Sequence, residues 1–332
     1  MSPALSVNGL TVTLGRHQAA PKVIDDLSFD VGPGEILGMV GESGAGKSLT
    51  GQAILGLLDP PLHMAGGRIE VAGERIDGLS ETAMRSWRGR RIGAVFQDPM
   101  TSLNPLLTIG RQLTETIRTH LPMNAASARE RAIRLLSEVG VPAPEERMGA
   151  YPHMLSGGMR QRVVLALAFA CDPMLVIADE PTTALDVSIQ AQIVGLLRRM
   201  CRERGASVML ITHDMGVIAE CADRVAVLYG GRLAEIGPAD TLLREPAHPY
   251  TQGLMASIPD MRRRVDMLPQ IPGSMPRVGG APSGCAFHPR CSRATARCRA
   301  ERPDLVGHGS CLAACWMPGD PSGFRPEATH AG

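Results

Sequence analysis

The sequence runs to 332 residues with 34 basic and 33 acidic side chains, which gives neither the basic excess of a nucleic-acid binder nor an acidic solvating tail. Apolar residues make up 44% and aromatics only 3%, so the core of a large domain with appendages must rest on Leu, Val, Ile, Ala and Met. The opening MSPALSVNGL has no secretory pattern. The longest apolar run, VVLALAFAC at 163–171, falls far short of the roughly 20 residues a membrane span needs. The expectation is a soluble protein that docks on other chains if it works at a membrane.

In chain order, LSVNGLTVTL alternates as a strand does, and LSFDV (27–31) and ILGMV (36–40) follow as strands around the turn GPG. A helix should begin near Lys47 and run through SLTGQAILGLL. GRIEVAG and RIGAVFQ read as further strands. From about Asn104 to Gly157 the pattern becomes helical, in IGRQLTETIRTH and ASARERAIRLLSEVG. MLVIAD (174–179) is a continuous apolar run, the mark of a strand buried on both faces. A helix at 188–204, the strand SVMLIT, a short helix and the strand RVAVLYGG complete the pattern. The fold class is therefore α/β with a mainly parallel sheet, into which the helical stretch is inserted. After about residue 238 the texture turns proline-rich, in EPAHPYTQG and LPQIPGSMPRVGGAPSG, and cannot be one more regular α/β unit.

GESGAGKS at 41–48 fits G-x4-G-K-S between a buried strand and an apolar helix, the context that separates a phosphate loop from an incidental Gly-rich turn. Gly41, Ser43, Gly44, Ala45 and Gly46 let backbone N–H groups wrap a polyphosphate. The amides of Lys47, Ser48 and Leu49 continue the cradle at the helix N-terminus. Lys47 adds a full charge, and the Ser48 hydroxyl is a Mg²⁺ ligand. Asp179 ends a buried strand and can hold the Mg²⁺ shell. Glu180, one residue on, faces differently and suits polarising a water for attack on a γ-phosphate. A helix N-cap would account for one of these acids but not for the pair.

The remaining motifs resemble those of ABC ATPases. LSGGMRQRV (155–163) is similar to their signature loop, Gln97 in VFQDP to their Q-loop, ALD (184–186) to their D-loop and His213 in LITHD to their switch histidine. The resemblance implies a mixed-sheet P-loop domain with an inserted helical subdomain. It implies ATP and Mg²⁺ as ligands, with Gln97 joining Ser48 on the metal, and catalysis by Glu180, His213 and Gln97. It also implies a head-to-tail dimer in which Ser156, Gly157 and Gly158 contact ATP bound to the other chain. The physics agrees, since a phosphate loop faces one side of its nucleotide and a second helix N-terminus can face the other. Two positions depart from the pattern. Leu14, followed by Gly15, Arg16 and His17, stands where the family offers an aromatic ring to adenine, so the base contact is apolar or comes from Arg16. Met159 stands where many members have Gln, while the serine and glycine donors remain.

FQDPMTSLNPLLTIG (96–110) and HPYTQGLMASIP (248–259) are similar to the oligopeptide/dipeptide/nickel importer branch. That resemblance implies a peripheral subunit on the cytoplasmic face of the inner or plasma membrane. Its partners would be a different second ATPase subunit (a heterodimer), two transmembrane permeases and an extracytoplasmic peptide-binding protein, with no nucleic acid. The cargo it implies is peptide. Nickel, glutathione or antimicrobial-peptide systems are the alternatives, and a non-transport ABC ATPase is the alternative of another class. The expected boundaries are 1–238 for the ATPase domain, with a helical subdomain at about 104–157, and 239–332 for a C-terminal extension.

Of eight cysteines, Cys171, Cys201 and Cys221 stand alone in apolar or helical contexts and read as small core residues. The other five crowd the tail: Cys285, Cys291, Cys298, Cys311 and Cys315. The C-x2-C knuckle of structural zinc sites is missing, and four thiolates leave tetrahedral zinc or an iron–sulfur cluster as the chemical choices. The peptide-importer resemblance implies a [4Fe–4S] cluster on Cys285, Cys291 and Cys298 in GCAFHPRCSRATARC. For the fourth ligand, ACWMP (314–318) matches the family context and selects Cys315 over Cys311. His288 reads as a turn residue, and the cluster's expected role is structural.

Overall fold

The computed structural model describes residues 2–183, 185–258 and 270–319. Pro259, which closes the HPYTQGLMASIP motif, and residues 320–332 of the expected extension lie outside the described residues.

The first strands are β1 (Leu5–Leu14), β2 (Lys22–Val31) and β3 (Ile36–Val40), followed by α1 (Lys47–Leu55), β4 (Leu62–Val71), β5 (Glu74–Arg75), α2 (Glu81–Trp87) and β6 (Ile92–Val95). The helical stretch comprises α3 (Pro99–Ser102), α4 (Ile109–His120), α5 (Ala125–Glu138) and α6 (Pro144–Arg147), and leads into α7 (Gly157–Ala168). Then come β7 (Leu175–Asp179), α8 (Val187–Arg204), β8 (Ser207–Ile211), α9 (Met215–Cys221), β9 (Arg224–Tyr229) and β10 (Arg232–Pro238). The tail adds α10 (Ala239–Arg244), α11 (Pro249–Ala256), α12 (Ala296–Ala300), β11 (Val306–His308) and β12 (Cys311–Ala313).

Strands β9, β3, β8, β7 and β6 form the parallel part of a sheet ordered β11-β12-β10-β9-β3-β8-β7-β6. Their apolar runs bury both faces by alternation. Ile36, Val40, Val176, Ala178, Val208 and Leu210 pack on one side with α4, α5, α7 and α8. Leu37, Met39, Leu175, Ile177, Met209 and Ile211 pack on the other. That second side is closed by a separate antiparallel sheet, β2-β1-β4-β5, which the alternation in LSVNGLTVTL does not distinguish from a strand of the main sheet. Burial of this kind is worth roughly 25 cal/mol per Å² of apolar surface and holds the loops at the strand ends in place.

Helix starts follow the local sequence. Thr108, Asn124 and Ser156 accept backbone N–H bonds at the heads of α4, α5 and α7. No helix among the described residues is long and apolar enough to cross a membrane.

The segment after residue 238 does not stand apart from the core. β12 pairs antiparallel with β10, Glu235 opposite Ala313 and Ile236 opposite Leu312. Tyr250, Ala286, Phe287 and Cys311 belong to the same buried cluster as α7 and α8. Cys171, Cys201 and Cys221 are buried in that cluster as expected. Burial pushes the Cys201 thiol up to about 11 and the Cys221 thiol up to about 12, which keeps both as unreactive neutral thiols.

Candidate functional site

The loop 41–48 leaves β3 and enters α1 at the end of the parallel strands. Gly41 sits at φ 151°, and a Cβ there would stand 2.3 Å from the carbonyl oxygen of Leu228, so only glycine lets the chain turn away from β9. α1 starts at Gly46 with no side-chain cap, so the amides of its first turn face the loop without a competing acceptor. Lys47 is buried, and its Nζ donates to the carbonyl oxygens of Gly41 (2.8 Å) and Glu42 (3.1 Å). Burial lowers its pKa, against the raising pull of the Glu180, Asp179 and Glu42 carboxylates.

Ser48 Oγ donates to Asp179 Oδ1 at 3.0 Å, joining the head of α1 to the end of β7. Burial raises the Asp179 carboxyl, helped by the neighbouring Glu180 charge and opposed by the Ser48 bond and the Lys47 charge. Glu180 stands at φ 46°, a left-handed conformation that a β-substituted residue adopts at a cost of order 1–3 kcal/mol. That turn is what sends its side chain away from Asp179. Glu180 Oε2 accepts from Gln97 Nε2 (3.0 Å) and from Thr183 Oγ1 (2.8 Å), and Oε1 lies 3.1 Å from His213 Nδ1. Burial alone would raise this carboxyl. The Thr183 and His213 hydrogen bonds and the His213 and Lys47 charges outweigh it, and the group ends below its ordinary range. The Gln97 bond uses the amide N–H, which leaves its carbonyl oxygen as the atom for a cation.

Residues 41–49, 97, 179, 180 and 213 are thus brought together, Gln97 and His213 being the two that only the family resemblance places there. Ser156, Gly157 and Gly158 are not part of that group. They open α7, Ser156 and Gly157 are exposed, and among the described residues no hydrogen bond joins them to the phosphate loop. Of the ALD stretch, Ala184 lies outside the described residues, and Asp186 stands at the N-cap of α8. Leu14 is 40% exposed at the end of β1. Arg16 lines a hollow with Leu62, His63 and the C-terminal residues of α1, the end of that helix remote from the phosphate loop.

Four of the five tail cysteines face one small cavity: Cys285, Cys291, Cys298 and Cys315, with His248, Phe287, Trp316 and Met317 around them. Cys311 is elsewhere. It is 3% exposed on β12, packed against Gly237 of β10. Backbone N–H groups point at three of the four sulfurs: Phe287 and His288 at Cys285, Arg293 at Cys291, and Met317 at Cys315. Burial raises the Cys285 and Cys291 thiols and pushes Cys315 up to about 11. As they stand, no three His, Cys, Asp or Glu side chains among the described residues could hold a single metal ion. His288 makes a turn, its Nδ1 lying 3.0 Å from the Cys285 carbonyl oxygen.

Sequence reasoning missed Thr183, Glu42, Tyr250 and Arg290, all of which touch the phosphate loop or Glu180. Thr183 carries a signal, a hydroxyl three residues after the acid. Glu42 lies within GESGAGKS itself, and Tyr250 and Arg290 reach it only through folding.

The sequence model of the ABC transporter family matches residues 24–183, and that of the oligopeptide/dipeptide transporter C-terminal region matches 234–298. The dipeptide transport ATP-binding protein DppD of Escherichia coli K12 is 45% identical over 91% of this chain and 92% of its own length. The oligopeptide transport ATP-binding protein AppD of Bacillus subtilis 168 is 45% identical over 93% of this chain and 95% of its own. Among solved structures, an ATP-binding cassette seen as a dimer in a post-hydrolysis state with ADP and Pi superposes with a TM-score of 0.63, at 26% identity over 71% of this chain and 98% of that one. These likenesses agree with the α/β P-loop architecture and with the match that continues into the tail: the chain belongs to the ABC transporter family, among the ATP-binding subunits of its oligopeptide/dipeptide branch.

Proposed function

We propose that this chain hydrolyses ATP to power peptide import through a pair of membrane permeases, as a peripheral subunit on the cytoplasmic face of the inner membrane. The observation that carries the reading is the Glu180 carboxylate, ionised and held by Gln97, Thr183 and His213 beside the phosphate loop. Lys47 and the amides of 41–49 bind the phosphates. Ser48, Asp179 and Gln97 would hold Mg²⁺, which when bound would draw charge from the phosphate oxygens. Glu180 polarises the attacking water and His213 orients it. Ser156, Gly157 and Gly158 complete the site of a second, different ATPase subunit, a reading that the exposure of Ser156 and Gly157 supports. Closure on ATP and reopening after hydrolysis drive transport, and an extracytoplasmic binding protein delivers the peptide.

The domain reading is an ATPase domain over 1–238, with a helical subdomain at about 104–157, and an extension over 239–332. In the extension, Cys285, Cys291, Cys298 and Cys315 would hold a [4Fe–4S] cluster. The donor set is compatible with it: four thiols line one cavity, and three of them have N–H groups aimed at sulfur. Its contribution is a covalent cross-link in a proline-rich segment.

The test is reconstitution in proteoliposomes with a pair of permeases and a second ATPase subunit of the same importer branch. Peptide-loaded binding protein should stimulate ATP hydrolysis and peptide uptake. Stimulation by nickel or glutathione instead would reassign the cargo. Stimulation by DNA or ribosomes without permeases would overturn the transporter reading.

A further inference from the structure

The loop that cradles phosphate contains a carboxylate, Glu42, which is an awkward neighbour for a polyanion. Its partner comes from 248 residues away. Arg290, between Cys285 and Cys291, places Nη1 2.6 Å from Glu42 Oε2 and Nη2 2.9 Å from Oε1, a two-pronged ion pair. The Arg290 side chain is only 5% exposed. Its Nε donates to the carbonyl oxygen of Pro272 at 2.7 Å, and Nη2 reaches that of Ile271 at 3.4 Å. The guanidinium lies over the rings of Tyr229 and Phe287, 5.8 and 6.0 Å from their centres.

Glu42 is held at two further atoms. Its backbone N–H donates to the Tyr250 hydroxyl at 2.8 Å, and its carbonyl oxygen accepts from Lys47 at 3.1 Å. Tyr250 is fully buried and stands edge-on to Tyr229, 4.7 Å between ring centres. The second residue of the phosphate loop is thus fixed by the tail through its side chain and its amide, and by the loop's own lysine through its carbonyl.

We propose that Arg290 is a positioning residue for ATP: it neutralises and anchors Glu42, and so ties the shape of the phosphate loop to the fold of the cysteine-bearing segment. Two effects combine. Without Arg290 the Glu42 carboxylate would repel the triphosphate at close range. Without the anchor, the chain after Gly41 would lose the constraint that orders its amides. An Arg is required rather than a Lys, because one planar fork meets both carboxylate oxygens while Nε holds Pro272.

The proposal rests on 41–48 being the ATP loop, and the experiment separates the two. ATP binding is measured by calorimetry on full-length Arg290→Ala, Glu42→Ala, the double variant and Lys47→Ala, with a thermal melt and iron content recorded for each. Arg290→Ala should weaken ATP binding about tenfold or more. Removing Glu42 as well should recover most of that loss, since the repelling carboxylate is gone, a recovery that a merely structural arginine would not give. If Arg290→Ala fails to fold, Arg290→Lys carries the same test, with weakened binding at unchanged iron content expected. Wild-type affinity in whichever of Arg290→Ala and Arg290→Lys folds, or a double variant no better than Arg290→Ala, overturns the clamp. If Lys47→Ala binds ATP as the wild type does, the loop assignment falls and the clamp with it.

Discussion

His213 Nδ1 lies 3.1 Å from Glu180 Oε1, across the gap between the ends of β8 and β7. The two are 33 residues apart in sequence, and parallel pairing of those strands sets Asp179 beside Ile211, which brings the following residues face to face. The Glu180 carboxylate is thereby held by groups from three different segments, at 97, 183 and 213.

Replacing that carboxylate by an amide should separate binding from hydrolysis. Glu180→Gln is expected to bind ATP about as well as the wild type and to turn over more slowly by about 10²–10⁴-fold, the usual worth of a positioned general base. With its partner subunit it should accumulate as an ATP-closed dimer on size exclusion. Turnover at the wild-type rate would remove Glu180 from the role.

The pH profile follows from the depressed Glu180 carboxyl. A carboxyl lowered by its partners stays ionised through neutral pH, so Glu180 should put no acid limb on hydrolysis within the ordinary glutamate range or above it. The sign for stability is the same: these contacts are present above the unfolded carboxyl's pKa and are lost as pH falls through the lower folded one. Thr183→Val removes one of the bonds that lower it, and should move the acid limb upward. Steady-state rates, taken only where circular dichroism is unchanged, check this.

The tail cysteines give a comparison with opposite outcomes for two residues four positions apart. Cys315→Ser should lose iron and visible absorption in anaerobically purified protein. Cys311→Ser should keep both, because Cys311 faces β10 and not the cavity. Stoichiometric zinc in a colourless wild-type sample would remove the cluster assignment.

Cys311 matters in another way. A Cβ at Gly237 would stand 2.3 Å from its sulfur and 3.0 Å from its Cα, so the closeness of β10 and β12 depends on that glycine. Gly237→Ala should destabilise the protein by about 1–3 kcal/mol, as overpacking does, read from urea melts.

How much of this was legible in the sequence depended on distance along the chain. GESGAGKS and MLVIADE are legible because each motif carries its own strand and turn, and a buried strand ending in an acid needs no partner to be recognised. Gln97 and His213 are legible only through the family pattern, since nothing local says that both will reach Glu180. The pairing of Arg290 with Glu42 has no local signal at all, and neither has the separation of β1, β2 and β4 into a second sheet. Strands of three residues such as β11 and β12 are too short to show a period, which is why a proline-rich tail did not read as part of the main sheet.

The β12–β10 pairing also decides what a shorter chain would do. β10 runs seven residues beside β9, and its other side is satisfied by Leu312 and Ala313 and by the Ala314 amide on the Ala234 carbonyl. Cut after Pro238, the chain would leave that side as a row of unpaired backbone groups on a largely buried strand, a template for a second copy. The β12 pairing therefore covers an edge that would otherwise be open to a second copy. On this side of the sheet the outermost strand among the described residues is β11, three residues long and mostly exposed, too short to recruit a neighbour.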